Sequence, residues 1–176
     1  MAAADSQSWH TPCESAGMFS TSAPFVTACA QLHKGMQEIG SFLIELSDRT
    51  ANPELRQRLR EEAAERAGQS VRLRRIFAVM ELPPEPSRCP LLASLLDSAR
   101  SRLKTAGAAD KETIITDIAI QLGSYEVAAH ELLQDELPTA LPVSPLVKTS
   151  LQKARATSSK WQAFLKSQVR PEKFAA

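Results

Sequence analysis

The stretch REEAAERAGQSVRL, Arg60 to Leu73, decides how this chain folds. Ala, Glu, Arg and Gln are strong helix formers, and Leu55 and Leu59 before the stretch recur in helical phase with Leu73, Ile76 and Phe77 near and beyond its end. One long helix therefore runs through it. Its inward positions are expected to be Ala63, Ala64, Ala67 and Ser70, so for about two turns the core-facing side carries nothing large. What packs against those alanines separates a scaffold from an enzyme.

Working outward, the punctuation places four more helices. SAP at Ser22–Pro24, NPEL at Asn52–Leu55, CP at Cys89–Pro90, DKE at Asp110–Glu112 and SP at Ser144–Pro145 each open a periodic segment. Pro suits the first helical position, where its missing N–H costs nothing, and Asn52 and Ser144 are good N-caps. The expected helices are 24–49, 53–81, 90–105, 110–137 and 145–168. In the first, Phe25, Leu32, Ile39 and Leu46 interleave with Cys29, Met36 and Leu43 to draw one apolar stripe. The fourth carries Ile115, Ile118, Leu122, Tyr125, Ala129 and Leu132, and the fifth Val147, Leu151, Ala154, Ser158, Trp161 and Leu165. Four long helices with a short one in a long connection describe an all-α, four-helix bundle with one crossover, the connectivity of ferritin-like folds.

Composition agrees. At 176 residues and 43% hydrophobic the chain fills one core, and six glycines with a single tyrosine favour helix over sheet. Residues 1–22, rich in Ala, Ser and Thr and without helical period, are expected to form a flexible tail, 23–168 the bundle and 169–176 a second tail. Cys13, Cys29 and Cys89 have neither framework nor zinc spacing, which fits a reducing, cytoplasmic setting. No run reaches the roughly 18 apolar residues of a membrane span. A net charge of +1 gives no global field for nucleic acid. Locally, residues 110–138 carry seven acids and one lysine, and residues 145–176 seven bases and one glutamate, so the two segments complement each other. No row of aromatic side chains accompanies the basic end, which points away from nucleic-acid binding.

NPELRQRLREEAAERAGQSVRLRRIF, RCPLLASLLDSA and IAIQLGSYEVAAHELL, in this order, resemble the YciE/YciF family of bacterial ferritin-like proteins. The likeness extends over about Leu32 to Trp161 and implies a ferritin-like bundle. It also implies carboxylates and Glu-x-x-His pairs converging on a metal pair. Carried over by position, those ligands are largely missing. Met36 stands where the first helix would offer glutamate, and Ala64 and Ala67 where the second would offer Glu-x-x-His. In the fourth helix Gly123 and Ser124 replace two ligands beside Tyr125 and a retained Glu126, and the last helix has Gln152, Lys153 and Ala154. The alanines then mark a vacated di-metal site; an ordinary close-packed alanine face predicts the same composition.

His10, His33 and His130 are isolated, Tyr125 and Glu126 diverge by about 100° on a helix, and Arg72, Arg74 and Arg75 lie in a mixed charged face with Glu61, Glu62 and Glu65. No phosphate loop or nucleophile elbow is present. The expectation is a non-catalytic module without cofactor or metal, acting through protein contacts, as a homodimer or with another protein. The resemblance adds a stress-related role. The alternative is a metal-binding or redox protein whose ligands have moved to Glu38, Glu62, Glu65 or Glu126.

Overall fold

The structure, a computed structural model, describes residues 23–82, 87–137 and 142–168. The two tails expected at 1–22 and 169–176, and the Leu165 side chain, lie outside the described residues. Five helices follow in chain order: α1 (Ala23–Arg49), α2 (Pro53–Val79), α3 (Pro90–Thr105), α4 (Lys111–Asp135) and α5 (Ser144–Gln168). No strand occurs among the described residues.

Local chemistry sets the ends. Asn52 caps α2 by accepting from the N–H groups of Glu54 at 2.9 Å and Leu55 at 3.1 Å, and Pro53 occupies the first turn. At the other end Glu81 takes a left-handed φ of 54° and the Leu82 N–H donates to the Phe77 carbonyl at 3.0 Å, closing off the last turn. Helix α5 begins at Ser144 itself: the Val143 carbonyl accepts from Leu146 and Val147, so the capping place expected for Ser144 falls one residue earlier, on a fully buried valine.

The α1 stripe is buried along its whole length, from Phe25 to Leu46. Helices α1 and α2 form one antiparallel hairpin and α4 and α5 another, and the hairpins pack α1 on α4 and α2 on α5. Helix α3 runs back alongside α1, with Arg88 at Glu38 and Arg100 near Glu45, and also touches α4. It therefore returns the chain to the end where α2 began. There the Glu112 carboxylate accepts from the Thr50 hydroxyl and, at 2.8 Å, from the Ala51 N–H, fixing the start of α4 to the α1–α2 turn. In consequence α4 runs parallel to α2, while α5 returns so that Trp161 meets Arg58 near the start of α2. This is the ferritin-like, four-helix arrangement with a crossover helix.

Two inward faces differ from the expectation drawn from apolar residues alone. On α2 the buried line is Leu55, Leu59, Glu62, Ala63, Arg66, Gln69, Ser70, Leu73, Ile76 and Phe77, whereas Ala64 and Ala67 are exposed. A helical phase that joins Leu59 to Leu73 in steps of three and four passes through positions 62, 66 and 69, and misses 64 and 67. On α4 Leu132 is 54% exposed, and the core line continues from Leu122 through Glu126 and His130 to Leu133. In both helices the core follows polar residues across the middle of the bundle.

Candidate polar centre

The middle of α2 and α4 brings together Glu62, Arg66, Gln69, Glu126 and His130, every one of them buried. Arg66, four residues after Glu62, lies on the same helical face and pairs with that carboxylate through Nη1. Its Nη2 reaches across to α4, 2.7 Å from Glu126 Oε2, an ion pair whose N–H is not well aligned with the acceptor. Gln69, one turn beyond Arg66, donates from Nε2 to Glu126 Oε1 at 2.6 Å. Glu62 has a second cation, Arg58, whose Nη2 lies 3.0 Å from Oε1. One guanidinium therefore bridges two carboxylates on two helices, and a second neutralises the remaining charge.

The next layer is set by His130. Its Nδ1 lies 2.9 Å from the Glu126 carbonyl oxygen, which can only accept, so Nδ1 carries the proton and Nε2 presents a lone pair. Burial, reinforced by Arg72 and Arg66, holds the imidazole down to about 4, keeping it neutral. Burial pushes the Glu126 carboxyl up, while Arg66 and Gln69 pull it back. Tyr125 is turned toward Cys89 at the start of α3, and burial raises its phenol.

Of the residues singled out in the sequence, Met36, Gly123, Glu126 and Ala154 are buried, and Ser124, Ala64 and Ala67 are exposed. Gly123 faces Ser158 of α5. Only Glu126 belongs to the polar centre. Ala64 and Ala67, with Met36, Gly40, Ser41 and Ile44, instead line a surface groove of about 500 Å³ between α1 and α2. Among the described residues, nothing packs over these two alanines. An inward face drawn from small and apolar residues passes over Glu62, Arg66 and Gln69, whose polar side chains favour water; continuing the helical phase through them identifies all three.

The four glutamates considered as relocated ligands each have an arginine: Glu38 has Arg88, Glu65 has Arg72, and Glu62 and Glu126 share Arg66. Among the described residues no three His, Cys, Asp or Glu side chains converge as a metal site would require. A metal pair of the kind the resemblance implies does not fit this donor set. Any cation between Glu62 and Glu126 would have to share the space with the Arg66 guanidinium that already pairs with both.

A helical bundle with a charge-compensated centre is the class of protein that fold and centre define. The family model described as a domain of unknown function (DUF892) matches residues 24–173, and the chain belongs to this family. Among solved structures, the E. coli stress protein YciF superposes with a TM-score of 0.72 at 19% identity, covering 80% of this chain and 91% of that one. YcfI from Rhodopseudomonas palustris gives 0.72 at 20% identity, covering 78% and 90%. No curated protein matches the chain.

Proposed function

We propose that this chain is a non-catalytic ferritin-like module that acts through protein contacts, as a homodimer in the cytoplasm, in a stress-related role like that of E. coli YciF, its di-metal site having been lost. The observation that carries this reading is the Glu62–Arg66–Glu126 bridge, which occupies with a side chain the place where facing helices of such a bundle could hold a metal. Met36, Gly123 and Ala154 contribute no carboxylate or imidazole from the other buried positions. Nor is a membrane partner supported, since no helix among the described residues is long and apolar enough to cross a bilayer.

The contact surface is the α1–α2 groove. Its floor of Gly40, Ala63, Ala64 and Ala67 admits close approach of another helix, and Ile44, 43% exposed, stands on the same surface. A hole and an apolar knob on one face are what a two-fold, self-complementary interface requires. Sedimentation tests it: the wild-type chain is expected to be a dimer at micromolar concentration and Ile44→Glu or Ala64→Glu a folded monomer. A wild-type monomer, or dimers unaffected by both substitutions, would refute the surface. Stoichiometric iron or manganese after expression in metal-supplemented medium would refute the loss of the site.

A further inference from the structure

We propose that the Arg66 guanidinium is the resident cation of this bundle, taking over the structural part of a metal by joining the carboxylates of α2 and α4. The inference rests on the lost-site reading and deepens it: the site is refilled by a side chain instead of being merely emptied. Three observations carry it. Arg66 is 1% exposed, which an arginine tolerates only when its charge is compensated. Its two terminal nitrogens serve different helices, Nη1 the Glu62 carboxylate and Nη2 Glu126 at 2.7 Å, so it cross-links elements as a bridging ion does. Gln69 then takes the second oxygen of Glu126, and Arg58 the second oxygen of Glu62, so each carboxylate oxygen has a donor or cation beside it.

The charges around the guanidinium explain its hold. From α2 it meets Glu62, with Arg58, Glu65 and Arg72 further along the same helix, and from α4 Glu126 and the neutral His130. Helix α1 approaches with Gly40, which has no side chain to compete: a Cβ there would lie 3.6 Å from Arg66 Cβ. The described part of α5 buries Val147, Ser150, Leu151, Ala154, Thr157 and Trp161, none of them charged. Two carboxylates and two guanidiniums thus balance within the cluster. Remove Arg66 and two buried carboxylates remain with one cation, on one side only, a state that a small external cation should relieve.

The experiment uses the full chain and follows thermal melting with EDTA, Mn(II), Zn(II) or methylguanidinium at millimolar concentration. The wild-type midpoint is expected to ignore all four. Arg66→Ala is expected to melt about 10 °C lower and to recover part of the loss with a divalent cation or methylguanidinium, the recovery vanishing in Arg66→Ala/Glu126→Gln. Should Arg66→Ala fail to fold, the wild-type arginine side-chain NMR spectrum decides: slowly exchanging Hη protons with cross-peaks to the Glu62 and Glu126 side chains are expected. Rapidly exchanging Hη protons, or Arg66→Ala melting like wild type, would overturn the proposal and leave the lost-site reading standing. A wild-type melt raised by Mn(II) or Zn(II) and insensitive to them in Glu62→Gln would overturn both.

Discussion

His130 is the residue whose chemistry is most exposed to experiment. It is fully buried, donates from Nδ1 to its own helix, and is held neutral down to about pH 4, against about 6.5 in the unfolded chain. Between those values the unfolded state binds the proton and the folded state does not, so lowering the pH through this window removes stability, by at most about 1.4 kcal/mol per pH unit. Glu126 acts the other way: its raised folded-state pKa means that acidification relieves a penalty. Comparing wild type with His130→Gln in urea unfolding between pH 7 and 4.5 separates the two, and the difference in stability between the proteins is expected to shrink steadily as pH falls. A constant difference would mean that the imidazole titrates normally in the fold. Cys29, by contrast, is an inert core thiol, pushed up to about 12 by burial.

At the level of the helices, most of the architecture was legible because caps and apolar periods are local. Asn52, Pro53, Pro90 and the Phe25–Leu46 stripe place three helices within a few residues of where they lie. The polar centre was illegible for a physical reason. Hydrophobic patterning follows what water rejects, and the middle of α2 and α4 buries groups that water favours; Glu126 in particular is made tolerable by Gln69, 57 residues away, and by Arg66 on the same distant helix. Ala64 and Ala67 drew attention as small residues, yet they stand on the outer groove while Arg66 between them points inward. The register of α4 hangs on another distant contact, the Glu112 carboxylate over Thr50 and Ala51. Replacing it by Ala is expected to cost about 1–2 kcal/mol in urea unfolding, with Glu112→Gln, which keeps one acceptor, losing less. Equal stability of all three proteins would show the clasp to be ornamental.

For the whole molecule, the crossover helix divides the chain into two hairpins, each made of neighbours in sequence. Arg66 belongs to the first and Glu126 to the second. Either hairpin can pair its apolar residues early, since such contacts close over short loops, but neither can dry the middle of the bundle alone: one would bury a guanidinium and the other a carboxylate. Both must shed water in one step. The joining of preformed hairpins is therefore expected to set the refolding rate, and Glu62→Gln/Arg66→Met/Glu126→Leu, which lifts the desolvation cost, to refold faster than wild type in stopped-flow measurements at low urea. Slower refolding of the triple variant would place the Arg66–Glu126 encounter before the barrier, as the contact that nucleates the bundle rather than the one that delays it.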